Sequence, residues 1–210
     1  MQEKDGGNLN KHELKTKETR ELLLKAAETI FVRDGYEGAE LGEIAALAGR
    51  TKGAIYTHYK SKEDIFLALI EDRANSVRSE ILKLLAKSTS LEGNLEVMRK
   101  HCLNLSEDQT WSLLLLEFKL YALRHPDSKE RLQKYYDGIY PPNPEKAYTQ
   151  LLGSPDKVRG AISRSVAVRV IIPLLSALSV EAKFAPTVLG ERVLKKAAAR
   201  VFDALLPSAK

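Results

Sequence analysis

Residues 41–62, LGEIAALAGRTKGAIYTHYKSK, restrict the possible folds of this chain more than any other stretch. Leu41, Ile44, Ala45 and Ala48 recur at helical spacing, so a short first helix has one apolar face to bury. Gly49 follows at once, the residue type that ends a helix in the left-handed conformation at no steric cost. Thr51 is a good N-cap for a second helix running from Lys52 to about Tyr59. Two helices crossed over a short glycine turn make a helix-turn-helix, whose second helix enters the DNA major groove.

The second helix has the composition for that task. Lys52, Tyr56, Thr57 and His58, with Thr51 before them, offer donors to phosphates and base edges, while Gly53 and Ala54 keep the first turn slim. Its N-terminus presents free N–H groups and a positive dipole end. Only Ile55, with Tyr56 or Tyr59, is left to face inward, which is meagre for a helix whose job is packing. An ordinary helical hairpin with a solvated face is the plain alternative.

Residues 16–70 resemble the DNA-binding domain of the tetracycline-repressor (TetR) family of bacterial regulators. The resemblance is carried by AAETIFVRDGYEG, then IAALAG, then TKGAIYTHYKSKED, in fixed order. It implies a DNA interface of Thr51, Lys52, Gly53, Ala54, Tyr56, Thr57 and His58, with Lys62 reaching a phosphate from the next helix. The chain departs from the family pattern at two places. Ala39 and Glu40 stand where a hydroxyl pair usually opens the first of the two helices, and Arg50 occupies a turn position that is normally small and apolar. Arg50 beside the groove-facing helix end is expected to add a DNA contact.

The 210 residues suffice for this module and a second, and a net charge of +5 suits a polyanion without requiring one. The single cysteine, Cys102, excludes an internal disulfide and suits a reducing cytosol. The apolar run VAVRVIIPLLSALSV is interrupted by Arg169 and Pro173, so no membrane span is expected. The polar first residues lack the apolar segment of a secretion signal, and a cytoplasmic protein is expected.

The rest reads as all-α. A polar, disordered arm is expected over 1–14, the helix-turn-helix domain over 15–62, a connecting helix over 63–87, and a C-terminal bundle over 88–210. Thr16 is expected to cap a first helix with the stripe Leu23, Ala26, Ala27, Ile30 and Phe31, closed by Gly35. The stretch 61–64, SKED, resembles a capping box. Leu95, Met98, Cys102 and Leu105 share a helical register, and the helix QTWSLLLLEFKLYALRH is apolar enough to be largely buried. Pro126 opens the next helix, the PPNP run is a firm stop, a short helix follows near 145–152, and two last helices span roughly 156–183 and 187–206.

Pairing and sensing are the two jobs open to the C-terminal part. A symmetric dimer reads two half-sites with two copies of one helix. The last two helices resemble, in place and order, the family's four-helix dimer interface, and Ile172, Leu175, Ala198 and Phe202 are the candidate contacts. The stretch LLLEFKLYALRHPDSKERL resembles a segment of a multidrug-regulator-like branch, which implies an effector pocket among the middle helices. Trp111, Leu115, Phe118, Tyr121 and Tyr148, with Tyr135, are the candidate lining, although plain core packing accounts for each. Glu117, inside an apolar helix, is expected to pair with an arginine, because an unpaired buried carboxylate is costly. His101 beside Cys102 lacks further ligands at metal spacing, so no metal and no cofactor are expected.

No glycine-rich phosphate loop, HExxH or nucleophile elbow occurs, so no catalytic residue is assigned and no enzyme is expected. The reading is a ligand-responsive, homodimeric, DNA-binding transcriptional regulator, a repressor released from a pseudo-palindromic operator by a small molecule. A ligand-independent DNA-binding dimer, and a helical enzyme or protein-binding scaffold, remain the rivals.

Overall fold

The computed structural model describes residues 10–138, 140–154 and 162–207. All regular structure among them is helical. The chain divides into two compact units, one ending at Ile70 and one starting at Glu71.

The first unit holds α1 (Lys11–Gly38), α2 (Leu41–Leu47), α3 (Lys52–His58) and the start of α4 (Lys62–Leu85). Helix α1 begins earlier than Thr16. Asn10 is its N-cap: the Asn10 side chain accepts from the His12 and Glu13 amides, both at 2.9 Å, and the Glu13 carboxylate accepts from the Asn10 amide at 2.7 Å. This reciprocal box, in which two orphan donors find acceptors, carries the helix into what reads in sequence as the arm. Residues 1–9 lie outside the described residues. Gly35, at φ 71°, kinks the helix one turn before its end, in a conformation that glycine adopts without strain.

The stripe of α1 is buried as its spacing requires: Leu23, Ala27, Ile30 and Phe31 are sealed from solvent, as are Ile44, Ile55 and Phe66. Phe31, Tyr36 and Phe66 form an aromatic cluster with centroids 4.8–6.0 Å apart. Helix α4 supplies Ile65, Phe66, Leu67, Leu69 and Ile70 to this core. The unit therefore needs the first turns of α4 and closes at Ile70 instead of Lys62. At the start of α4 the Ser61 hydroxyl accepts from the Asp64 amide at 3.1 Å, and Asp64 accepts in turn from the Lys60 amide at 3.0 Å.

The second unit contains the remainder of α4, then α5 (Leu91–Glu107), α6 (Gln109–Arg124), a 3-10 turn (Pro126–Ser128), α7 (Lys129–Gly138), α8 (Pro144–Leu152), α9 (Arg164–Phe184) and α10 (Glu191–Leu205). Ser90, Asp108 and Ser163 cap α5, α6 and α9 with side-chain acceptors, and Pro144 opens α8 at a position where its missing N–H costs nothing. Helix α9 packs against α5, α6, α8 and α10. The core between them is Leu95, Met98, Ala167, Ile171, Leu175 and Phe202, joined by Cys102, Leu152, Val168, Ala198 and Leu206.

Three expectations change here. Helix α9 begins at Arg164, where Ser163 caps it, and α10 begins at Glu191 behind a turn in which the Leu189 amide donates to the Ala185 carbonyl at 2.8 Å. Residues 155–161, where the longer α9 was expected to start, lie outside the described residues. Helix α6 is not buried all round: Leu113, Leu116 and Leu123 are exposed. Helix α9, at 21 residues, is long and apolar enough to cross a membrane by length and composition alone, despite Arg169 and Pro173. Its two arginines find partners within the unit, although Arg164 Nη1 is enclosed without one. Arg164 is fully buried and donates to the carbonyls of Gly153, Leu152 and Pro207, and Arg169 meets Asp137 at 3.4 Å.

Candidate nucleic-acid interface and internal cavity

The turn between α2 and α3 takes the shape its residues dictate. Ala48 is the C-cap of α2, Gly49 is left-handed at φ 64°, and the Arg50 amide donates back to the Ala45 carbonyl at 2.9 Å. Thr51 is extended, and its hydroxyl oxygen accepts from the Ala54 amide at 3.3 Å. The Thr51 hydroxyl hydrogen stays free to donate outward. Helix α3 rests on the core through Ile55, with Tyr59 just beyond it, both buried. Its other face presents Thr51, Lys52, Gly53, Tyr56 and Thr57 to solvent, with Ala54 and His58 half-buried at the edge. A Cβ on Gly53 would meet only the Thr51 hydroxyl, at 3.7 Å, so this side of the helix is open.

The expected site residues do not all stand free. The Thr57 hydroxyl donates to the Gly53 carbonyl at 3.1 Å, so its oxygen is left to act as an acceptor. The Arg50 guanidinium folds back, with Nε donating to the Thr19 hydroxyl at 3.4 Å and Nη1 to the Gly49 carbonyl at 3.2 Å. The Lys62 ammonium donates to the carbonyls of Glu37 at 3.0 Å and Ala39 at 3.2 Å, and lies 4.9 Å from the Tyr36 ring centroid. Lys62 thus closes the end of α1, where free carbonyls need donors. Its expected reach to a phosphate competes with these bonds. Glu40 precedes α2 without a side-chain cap, consistent with the missing hydroxyl noted in the sequence.

Within the second unit lies a cavity of about 460 Å³, walled by α4, α5, α6, α7, α8, α9 and the Tyr140–Pro142 turn. Of the expected lining, Trp111, Leu115 and Tyr148 face it. Phe118 and Tyr121 are instead buried in packing, and the Tyr121 ring lies 4.2 Å from that of His125. Tyr135 is not part of the wall, whereas Tyr136 and Tyr140 are. Met98, His101, Cys102 and Ile171 complete one side. These residues carry the same periodicity as any core face, so no sequence signal separated cavity wall from filled core.

Burial pushes the Cys102 thiol up to about 12, which leaves it unreactive at neutral pH. Burial lowers the pKa of His101, with Glu80 opposing, which favours the uncharged ring. Its Nε2 is enclosed without a hydrogen-bond partner. Histidine and cysteine both line the cavity although adjacent on α5.

Of the four expected dimer contacts, Leu175, Ala198 and Phe202 are sealed in the core of their own unit, and Ile172 is partly buried against it. A different face of α9 is open: Val166, Leu174, Ala177 and Phe184 lie on one exposed stripe, with half-buried Val170 between them.

A compact helical unit with a slim, polar, exposed second helix after a left-handed glycine is a helix-turn-helix module. Residues 23–69 match the model of the tetR family of bacterial regulatory proteins. The HTH-type transcriptional repressor BepR of Brucella suis is 48% identical over 65 residues, 31% of this chain and 31% of its own. The repressor AcnR of Corynebacterium efficiens is 30% identical over 113 residues, 54% of this chain and 55% of its own. The chain thus spans between about a third and about half the length of these relatives. The transcriptional regulator FadR from Bacillus subtilis, solved in complex with stearoyl-CoA, shares the fold with a TM-score of 0.64, over 90% of this chain and 99% of that one, at 18% identity.

Proposed function

We propose that the protein is a homodimeric, ligand-responsive transcriptional repressor that acts in the cytoplasm. The observation that carries this reading is the exposed face of α3. A helix that buries only Ile55 and turns hydroxyl, amine and glycine outward has a surface suited to a groove and poorly suited to packing. BepR and AcnR, similar over this segment, are repressors by name.

The cavity supports the ligand. Its volume falls in the range of roughly 300–1,000 Å³ that small-molecule sites occupy, and a FadR of the same fold is known with stearoyl-CoA bound. A ligand-independent dimer would have no need to leave this space unfilled. Helix α4 contributes Phe66 and Ile70 to the first core and Ala74 and Ile81 to the cavity wall, and is the element through which occupancy would be felt at the DNA. The ligand acts by binding the DNA-incompetent state more tightly than the competent one.

The test is a fluorescence-anisotropy titration of the protein's own upstream duplex, with scrambled competitor, as a function of salt. Specific binding at nanomolar concentration is expected, and Lys52→Ala should flatten the dependence of log affinity on log salt by about one. Equal affinity for upstream and scrambled DNA, together with an unchanged slope in the variant, would refute the assignment.

A further inference from the structure

The wall of the cavity is mostly apolar, and its charged groups share one sign. Among the described residues Arg78, from α4, and Lys119, from α6, are its charged residues, and no carboxylate lines it. The Arg78 guanidinium donates to the Gly138 carbonyl, a neutral acceptor that leaves its charge uncompensated. Among the described residues no carboxylate pairs with Lys119. The phenol of Tyr148 is held up by burial and pulled back by Arg78 and Arg169, so these arginines act on the same end of the cavity. Arg169 itself meets Asp137 and lies 4.2 Å from the centroid of the Tyr140 ring.

The third polar feature is His101. The residue is 6% exposed, faces the cavity, and has a ring nitrogen, Nε2, without a partner. A buried polar atom left unsatisfied is costly.

We infer that the cavity selects an amphiphilic anion: a hydrocarbon body with an anionic, oxygen-bearing head, a fatty-acyl type of molecule and not an organic cation. The inference rests on the reading of this cavity as the effector site. Two uncompensated cations in an apolar, weakly screening wall favour an anion and repel a cation. The hydrocarbon body fills the space between Met98, Trp111, Leu115 and Ile171. The same acyl chemistry reaches a cell as a free carboxylate or as a thioester on a phosphorylated carrier, and the test separates the two.

Trp111 is the only tryptophan in the chain and forms part of the wall, so its fluorescence reports occupancy directly. The full-length protein is titrated below micellar concentrations with laurate, lauroyl-CoA, 1-dodecanol and dodecyltrimethylammonium, which share one chain and differ in the head. Laurate or lauroyl-CoA should bind at least about tenfold more tightly than dodecanol, a difference of about 1.4 kcal/mol, and the ammonium should bind most weakly. The tighter of the two anionic probes identifies the source. Lys119→Met and Arg78→Met should each remove most of the preference for the anion while leaving dodecanol affinity in place, which also shows that the variants are folded. Equal binding of laurate, dodecanol and the ammonium, or no binding by any of them, overturns the inference. Release of operator DNA is measured separately. Charge-selective binding without release would leave the ligand chemistry standing and remove the regulatory reading instead.

Discussion

The Lys62 ammonium donates to the Ala39 carbonyl oxygen at 3.2 Å, tying the first residue of α4 to the segment that joins α1 and α2. The Glu37 carbonyl takes a second donor at 3.0 Å. Lys62 is therefore a brace inside the helix-turn-helix unit before it is a phosphate ligand. Replacement with alanine should lower stability by about 1–2 kcal/mol, because two carbonyls lose a charged donor in a partly exposed place. Urea denaturation measures this. If the midpoint does not move while the salt slope of DNA binding falls by one, the brace is incidental and the phosphate role prevails.

Gly53 separates folding from recognition. A Cβ there is sterically free in the protein alone, and alanine is favoured over glycine inside a helix by up to about 1 kcal/mol. Gly53→Ala should hold or raise the melting temperature yet weaken binding to duplex DNA by tenfold or more. Unchanged binding in this variant would show that the backbone of α3 never comes close to its target.

The open stripe on α9 predicts where two copies meet. Leu174 is 46% exposed and flanked by Val170 and Ala177, so Leu174→Glu places a charge in the interface without touching the core. Sedimentation should show a dimer turning to monomer, with helix content retained. Phe202→Ala, by contrast, should act on stability, at about 3–5 kcal/mol, since Phe202 is 2% exposed within its own unit.

The Glu145 carboxylate takes donors at the start of α9: the Ser165 amide at 2.9 Å and the Arg164 amide at 3.2 Å. The Ser165 hydroxyl and amide, more than any other groups, hold its pKa down at about 2, from an ordinary 4.5. A carboxylate depressed on folding stabilises the protein above its ordinary pKa, and that contribution is lost as the pH falls from 4.5 towards 2. Urea midpoints should therefore drop over this window in the parent protein. In Glu145→Gln the drop should be smaller, from a lower starting point at neutral pH.

The helix-turn-helix was legible because its signals are local. Gly49 must be left-handed, Thr51 must cap, and both lie within a few residues of the bonds they make. The start of α1 was missed although Asn10 and Glu13 stand at capping-box spacing, because Thr16 offered a plausible cap nearer the apolar stripe. The dimer face is hard to read for a different reason. Helix α9 has two apolar faces, and nothing in the residue types Leu174 and Leu175 tells which one the chain covers for itself. The cavity is harder still to read, since Trp111 and Phe118 are equally large and apolar, and only the placement of neighbouring helices leaves space beside the first.

Arg164 ends up holding three pieces of backbone that are remote in sequence: the close of α8, the residue after it, and Pro207 near the C-terminus. A guanidinium with no access to water cannot trade these carbonyls for solvent, so the tail is moored and not merely draped. Trimming the polypeptide back past Pro207 would strand a permanent charge at the foot of its most central helix, whereas extensions grafted beyond that proline leave the mooring in place.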